Sequence, residues 1–263
     1  MSDWKSRFAV LGVAASAVLA AKALRQLWLF AELGLLNPPV QKFKGAWALV
    51  TGGSEGVGKA VAAELARNGI NVLLVSRSQA KLDAAAADIK RQHSDVQVRT
   101  FAADLTQRQQ LDALLQHITH TSTHISLLVA NAGGAVPRMT NYWQFSDDEE
   151  ERMQALNGAA CYVLVKALLP DMVQRGKGAV VAISSSMHRL GAFAAPYAAE
   201  KAKVNALIGR GGPLVMPYWG HSCSEALLLD VWWPPELGRF VAGSVARAMK
   251  SNLDARVDAA QSG

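Results

Sequence analysis

Two residues at helical spacing, Tyr197 and Lys201, carry side chains that together can move a proton. Residues four apart in a helix are neighbours on its surface, and a lysine cation favours the phenolate form of a nearby tyrosine. A phenol supported in this way is a usable proton donor near neutral pH. The spacing alone is a weak signal, because an exposed helix turn produces it often, so its meaning depends on the elements that must position it.

A glycine-rich run precedes this pair in the chain. Residues 51–58 read Thr-Gly-Gly-Ser-Glu-Gly-Val-Gly and follow an apolar stretch over residues 45–50. The apolar stretch predicts a short buried strand, and residues 59–68 have helical composition with Gly69 as a stop. The glycines therefore occupy a strand-to-helix turn, where backbone can approach a pyrophosphate. This context favours a dinucleotide site over a plain glycine-rich loop.

The end of the next strand bears on the cofactor. Residues 70–75 form a β-branched and leucine-rich run that predicts the second strand of a βαβ unit. An acidic residue at its end would accept from the ribose 2′-hydroxyl of NAD, but this chain has Ser76 and Arg77 there. A guanidinium pairs well with a phosphate. The residues therefore predict NADP(H).

Strand and helix patterns alternate along the middle of the chain. Further strands are predicted at 96–102, 125–130 and 179–183, and helices at 83–91 and 107–118. This alternation predicts an α/β fold, a doubly wound parallel sheet of Rossmann type, with ligand sites at the carboxyl ends of the strands.

Two local clusters have plain structural interpretations. Ser146 and Glu149 predict a capping box at a helix start, which explains the acidic run around them. Three histidines, His117, His120 and His124, cross a helix end into a polar loop without an acidic or thiol ligand beside them. We therefore expect no metal site.

Composition narrows the class of protein. Hydrophobic residues make up 51% of the 263 residues and charged residues 18%, which excludes disorder and fits one main core. The net charge of +6 suits anionic ligands, such as a dinucleotide or a CoA ester, or an acidic membrane surface. No basic run is dense enough to predict nucleic-acid binding. Two cysteines, of which Cys161 is predicted to be buried, fit a reducing compartment.

The N-terminal segment is strongly apolar. Residues 8–21 carry no charge, and apolar character resumes after Arg25 and continues to Leu36. The uncharged run is shorter than the roughly 20 residues of an ordinary span, so a buried or interfacial helix competes with a membrane helix. A signal peptide is a third alternative. We favour a membrane-anchor helix.

Four motifs occur in one order along the chain: Thr51-Gly-x-x-x-Gly-x-Gly58, Asn131-Ala-Gly133, Ile183-Ser-Ser185 and Tyr197-x-x-x-Lys201. With them the chain resembles the short-chain dehydrogenase/reductase family over about residues 45–206. Within that family, residues 47–77 and 168–172 resemble the microsomal 3-oxoacyl-CoA reductases of very-long-chain fatty acid elongation. The same residues are similar to the steroid 17-beta dehydrogenase relatives of these reductases.

The resemblance implies a role for each catalytic residue. Tyr197 would donate the proton to the carbonyl oxygen, and Lys201 would hold the nicotinamide ribose. Ser185 would orient the carbonyl, although Ser184 has the more usual spacing to the tyrosine. Asn157 would hold a water in the proton relay.

The resemblance also implies the cofactor contacts. Arg77 would contact the 2′-phosphate, Asp104 the adenine and Asn131 the nicotinamide side. At Ala130 the chain lacks the first Asn of the usual Asn-Asn pair. The residues expected to line the pyrophosphate are Gly52, Ser54, Gly56, Val57 and Gly58.

The function implied is NADPH-dependent reduction of 3-oxoacyl-CoA to 3-hydroxyacyl-CoA. The alternatives are a steroid or other lipid carbonyl reductase and a non-catalytic NADP(H)-binding paralogue. The resemblance places the protein in the endoplasmic reticulum membrane with its catalytic domain facing the cytosol, and makes a second copy and other elongation proteins candidate partners. The predicted organisation is an anchor segment over residues 1–39, a reductase domain over 40–250 and a polar tail over 251–263.

The chain departs from the family pattern after Ala206. Three glycines and a proline within residues 207–213 interrupt the expected long helix almost at once. Residues 214–218 then predict the sixth strand, so about ten residues, or ~15 Å of helix, are missing. A last amphipathic helix is predicted over residues 235–249. The C-terminal part is therefore expected to be shortened and atypical.

Overall fold

The computed structural model describes residues 43–134, 140–185, 194–209, 221–223 and 229–232. The predicted anchor over 1–39, sixth strand over 214–218, helix over 235–249 and tail over 251–263 lie outside these residues. The helices and strands reported below belong to the described part of the chain.

The strands and helices alternate in the order that the sequence predicts. The strands are β1 (Trp47–Thr51), β2 (Asn71–Ser76), β3 (Val98–Ala102), β4 (Ile125–Ala130), β5 (Ala179–Ile183), β6 (His221–Cys223) and β7 (Leu229–Trp232). The α-helices are α1 (Gly56–Arg67), α2 (Gln79–Gln92), α3 (Arg108–His120), α4 (Asp147–Gln154), α5 (Ala160–Gln174) and α6 (Ala195–Gly209).

The first five strands form a parallel sheet. The strand order across the whole sheet is β3-β2-β1-β4-β5-β7-β6, and β1 lies between β2 and β4 in parallel pairing. The chain thus runs outward in one direction through β2 and β3 and then returns to pair β4 with β1. This reversal next to β1 creates the crevice at the carboxyl ends where doubly wound sheets bind ligands. The predicted fold class is confirmed.

Two hydrophobic clusters cover the two faces of the sheet. In β1, Ala48 and Val50 point into one cluster with residues of α1 and α2, whereas Leu49 points into the other with residues of α3, α5 and α6. Successive side chains of a strand alternate between faces, and here both faces are covered by helices. The strands are accordingly apolar throughout, as the sequence predicts for a doubly wound sheet.

The edge of the sheet beyond β5 is antiparallel. Strand β7 pairs antiparallel with β5, and β6 pairs antiparallel with β7. A parallel neighbour requires a long crossover, usually a helix, whereas an antiparallel neighbour requires only a short connection. Only residues 224–228 separate β6 from β7, so a hairpin is the pairing that this connection permits.

Helices α4 and α5 form one continuous helical stretch. The predicted capping box is present at its start, because Glu149 N donates to Ser146 Oγ and Ser146 N donates to Glu149 Oε2. A π-turn at Ala155–Ala159 joins the two helices. Among the described residues, Asp147–Gln174 has the length and apolar composition of a membrane span. Its buried Leu164 packs in the second hydrophobic cluster, a contact typical of a core helix.

Helix α6 carries Tyr197 and Lys201 and is described as far as Gly209. It therefore extends about two turns past the lysine. The interruption predicted beyond Gly209 lies outside the described residues.

Candidate active site

The turn between β1 and α1 forms the floor of the site. Gly52 and Gly56 have φ values of +65° and +57°, which side chains rarely adopt. Gly56 begins α1, and a Cβ there would have no atom within 4 Å. The first N–H groups of a helix lack partners within it and favour an anion. The turn therefore places free backbone beside open space, which fits a pyrophosphate.

Helix α1 can approach this turn closely only because residue 58 is a glycine. A Cβ at Gly58 would overlap the carbonyl oxygen of Gly52 and would lie 2.5 Å from Nδ2 of Asn131. That amide nitrogen donates to the carbonyl oxygens of Thr51, at 2.9 Å, and Gly52, at 3.3 Å. The side chain of Asn131 thus holds the glycine-rich turn in place, while its predicted contact on the nicotinamide side stays a prediction.

Thr51 joins the ends of β1 and β4 and was not singled out from the sequence as a site residue. Its hydroxyl accepts from the backbone N–H groups of Asn131, at 3.0 Å, and Ala132, at 2.9 Å, and donates to the carbonyl of Val129. The residue is 2% exposed. The threonine at the head of the glycine motif was visible in the sequence, but its partners lie on another strand.

The carboxyl ends of β2 and β3 carry the predicted adenosine contacts. Arg77 follows β2 and is exposed. Asp104 lies just beyond β3, where its Oδ1 accepts from the N–H and hydroxyl of Thr106 at 3.0 and 2.8 Å. Burial alone would raise the pKa of Asp104, but these hydrogen bonds and the positive charges of Arg77 and Arg152 outweigh it and lower that pKa. The region therefore holds a charged carboxylate beside guanidinium groups.

A buried hydroxyl at the end of β2 also fits a ligand. Within the described part of the chain, Ser76 Oγ has no hydrogen-bond partner although it is inaccessible to solvent. Such orphaned polar groups are uncommon in folded proteins and call for an explanation. Together with the open turn at Gly56, Ser76 indicates that the residues present fit a dinucleotide along this edge.

Asn157 lies in the π-turn, at 2% exposure. Its Nδ2 donates to the carbonyl of Gly134 at 3.1 Å and to that of Met153 at 3.3 Å, and its Oδ1 accepts from the N–H of Gly134 at 3.2 Å. Single π-turns within α-helices are frequent at functional sites. The turn here fixes the asparagine against the segment that follows β4.

Lys201 is almost fully buried, at 4% exposure. Its Nζ donates to the carbonyl of Ile183, at the end of β5, over 2.9 Å and lies 5.6 Å from the ring centroid of the half-buried Tyr197. Burial lowers the pKa of Lys201 to about 8, although the neighbouring Cys161 acts in the opposite direction. The ammonium is therefore held in place and gives up its proton more readily than an exposed lysine.

Asn157 and Lys201 meet at Gly133. A Cβ on Gly133 would lie 2.8 Å from Oδ1 of Asn157 and 3.3 Å from Nζ of Lys201. Both polar atoms thus pack against the same side of Gly133, and a larger residue there would displace at least one of them. The structure brings together two predicted residues that are far apart in the chain.

The two candidate serines follow β5 directly, and both are buried. Ser184 Oγ donates to the carbonyl of Lys201 at 3.4 Å, which ties the end of β5 to helix α6. Ser185 is the next residue toward the crevice. This hydrogen bond ties Ser184 to the scaffold, and the choice of Ser185 as the catalytic serine stays a prediction.

A doubly wound parallel sheet with a glycine-rich first turn and a buried Lys-Asn pair at its carboxyl edge defines a dinucleotide-binding protein of Rossmann type. A family model described as short chain dehydrogenase matches residues 46–210. The chain belongs to the short-chain dehydrogenase family. The predictions of an oxidoreductase and of a nicotinamide dinucleotide as its cofactor class are confirmed at the level of this family.

Several known proteins are similar to this chain. Over 176 residues it is 38% identical to a very-long-chain 3-oxoacyl-CoA reductase of Caenorhabditis elegans, with 64% of this chain and 56% of that protein covered. Over 141 residues it is 36% identical to the inactive hydroxysteroid dehydrogenase-like protein 1 of Homo sapiens, with 54% and 42% covered. The chain spans about half the length of these curated relatives.

A solved structure shows the same fold. The short-chain dehydrogenase from Sphingobium yanoikuyae in complex with NADPH superposes with a TM-score of 0.57 at 34% identity, covering 62% of this chain and 63% of that one. The family match ends at residue 210, close to the point after Ala206 where the sequence departs from the family pattern.

Proposed function

We propose that this protein reduces the ketone of a lipid substrate with NADPH, and that the substrate is a 3-oxoacyl-CoA, which becomes a 3-hydroxyacyl-CoA. The observation that carries this proposal is the meeting of Lys201 and Asn157 beside Gly133, with Tyr197 on the same helix face as the lysine. This arrangement suits a proton relay that ends at a carbonyl oxygen. The similarity to very-long-chain 3-oxoacyl-CoA reductases supports the substrate class.

In the proposed reaction the bound NADPH supplies a hydride to the carbonyl carbon. Tyr197 donates its phenolic proton to the carbonyl oxygen, so the product is an alcohol and the tyrosine becomes a phenolate. The cation of Lys201 stabilises that phenolate. Ser185 donates a hydrogen bond that orients the carbonyl.

The proton must then return to Tyr197. Lys201 suits this role because its lowered pKa, about 8, makes proton release and uptake accessible near neutral pH. In the proposal, Asn157 Oδ1 and Lys201 Nζ hold between them the water that connects the lysine to solvent. The two atoms lie on the same side of Gly133, and this proximity supports the assignment.

The preference for NADPH rests on Arg77. Its guanidinium follows β2, where a 2′-phosphate would lie, and it acts together with Arg152 on Asp104. The solved relative that holds NADPH supports the same choice. An acyl chain that resides in a bilayer gives the apolar segment over residues 1–39 a role as a membrane anchor, with the endoplasmic reticulum as the proposed location.

The test uses the full chain, purified in mild detergent, with NADPH or NADH and either long-chain 3-oxoacyl-CoA or steroid ketones. Oxidation of NADPH with the acyl-CoA substrate is expected. Tyr197→Phe should lower the rate by at least ~100-fold, since general acid catalysis contributes about 10²–10⁴, while NADPH binding is retained. Arg77→Glu should weaken NADPH binding by at least ~10-fold and leave NADH binding within about threefold, because a charge-assisted pair to the 2′-phosphate is lost.

Each outcome separates the candidate functions. Turnover with steroid ketones but not with the acyl-CoA would replace the substrate class. NADPH binding without turnover of either substrate would identify a non-catalytic NADP(H)-binding protein, a function suggested by the similarity to the inactive human relative. Equal binding of NADH and NADPH by the wild type would contradict the role of Arg77.

A further inference from the structure

A carboxylate that plays no part in the proposed reaction lies buried beside the site. Glu200 precedes Lys201 on α6 and is only 3% exposed. Its Oε1 accepts from Nζ of Lys203 over 2.5 Å, and the lysine side chain is itself 55% exposed. A buried carboxylate is costly unless it is paired, and a single surface-facing lysine is a modest compensation. A buried position at this cost calls for a reason.

The other oxygen of Glu200 packs against the π-turn. A Cβ at Gly158 would overlap Oε2 of Glu200, so the carboxylate occupies the space that any other residue at 158 would need for its side chain. Gly158 directly follows Asn157. The contact therefore joins the immediate chain neighbours of the two residues that meet beside Gly133.

A second contact fastens the same two helices. The hydroxyl of Tyr162, on α5, donates to the carbonyl of Lys203, on α6, at 3.1 Å. Together, this hydrogen bond and the Glu200–Gly158 contact fix the distance of α6 from the π-turn and its position along the helix axis. The separation is the quantity that sets how closely Lys201 Nζ and Asn157 Oδ1 approach each other.

We infer that Glu200 is a positioning residue, whose carboxylate, seated in the space left by Gly158, holds α6 at the distance that aligns Lys201 with Asn157. This inference rests on the proposed function for its catalytic meaning. The glutamate acts through its shape and its fixed place between the two helices. Gly158 makes this possible because it has no side chain in the space that the carboxylate fills.

The test is a double-mutant cycle on the full chain in detergent, with NADPH affinity measured by protein fluorescence and kcat and KM measured with the 3-oxoacyl-CoA substrate. Gly158→Ala should lower kcat by at least ~10-fold and weaken NADPH binding, because a displacement of about 1 Å in a catalytic arrangement can cost ~100-fold. Glu200→Ala should lower kcat by about 3- to 10-fold through a loosened helix. Glu200→Gln, which fills the same volume, should stay within about twofold of the wild type.

The double variant gives the decisive result. In the Gly158→Ala background, Glu200→Ala should raise kcat and NADPH affinity to within about threefold of the Glu200→Ala variant, so the same substitution changes sign between backgrounds. The double variant should also be more resistant to heat than Glu200→Ala, because alanine is favoured over glycine in a helix once the overlap is gone.

Gly178→Ala is the matched control. A Cβ at Gly178 would overlap the side chain of Met172, but this glycine precedes β5 at the end opposite to the site. The control should lose thermal stability and keep kcat, KM and NADPH affinity at wild-type values.

Two results would overturn the inference. One is a double variant as impaired as Gly158→Ala, and the other is a Glu200→Ala variant that loses heat resistance but keeps wild-type kcat and NADPH affinity. If the wild type binds NADPH but reduces no ketone, the proposed function fails separately, and the NADPH affinities of the four proteins in the cycle still decide whether Glu200 positions Lys201.

Discussion

Replacing Lys201 by methionine should stabilise the protein at neutral pH while removing its activity. Burial lowers the pKa of this amine from its ordinary value of 10.5 to about 8, so the folded state binds the proton less tightly than the unfolded chain. Below pH 8 the protein must fold with a buried ammonium. At about 1.4 kcal/mol per pH unit, the interval between the two pKa values corresponds to a cost of roughly 3 kcal/mol.

The expected magnitude follows from that cost and from one lost contact. Lys201→Met removes the ammonium but also the hydrogen bond to the carbonyl of Ile183, worth about 1 kcal/mol. At pH 7 the variant should therefore be more stable than the wild type by ~2 kcal/mol. The cost diminishes as the pH rises from 8 toward 10.5, because the folded protein then releases the proton, so the difference should close by about pH 10.

The assay is urea unfolding of the full chain in mild detergent, followed by tryptophan fluorescence at pH 7, 8.5 and 10. Lys166→Met, which removes an exposed lysine on α5, is the control and should stay within about 0.5 kcal/mol of the wild type. A Lys201→Met variant that is less stable than the wild type at pH 7 would refute the reasoning. So would a stability difference that does not change between pH 7 and 10.

Three further substitutions test the scaffold of the site. Gly58→Ala should weaken NADPH binding by at least ~10-fold and lower the melting temperature, because the new Cβ overlaps the Gly52 carbonyl oxygen. Fluorescence titration measures the affinity and thermal scanning measures the melting temperature. An unchanged NADPH affinity would contradict the close approach of α1 to the glycine-rich turn. Thr51→Val keeps the side-chain shape but removes the acceptor of the Ala132 N–H and one of the two acceptors of the Asn131 N–H, so urea unfolding should show a loss of about 1–2 kcal/mol. Ser146→Ala removes the capping box and should cost about 1 kcal/mol in the same assay without affecting kcat; an effect on kcat would show that this helix start influences the site.

Much of the fold and some of the site follow from local patterns. Apolar runs predicted the five parallel strands to within about two residues, because a doubly wound sheet buries its strands on both faces. The Ser146–Glu149 capping box was predicted correctly for the same kind of reason, since its bonding atoms belong to residues three apart. The predictions at Arg77 and Tyr197 also came from local spacing, and their roles in the reaction stay predictions.

Contacts between distant elements could be decided only by the tertiary structure. The amide of Asn131 holds the turn after Thr51, 80 residues earlier in the chain, a contact that the sequence did not predict, while its contact on the nicotinamide side stays a prediction. Likewise, the sequence gives no sign of a special role for Glu200, because its contact with Gly158 exists only once α6 packs on the π-turn. The antiparallel pairing of the β6–β7 hairpin with β5 is also a contact that only the tertiary structure decides.

The sequence by itself determined which residues form strands, helices and turns and which of them can do chemistry, because side-chain periodicity and turn composition act over a few residues. The tertiary structure alone decided which side chains position other residues of the site. That choice depends on the separation of packed helices and strands, where a difference of one methyl group at residue 58 or 158 determines whether two elements can meet.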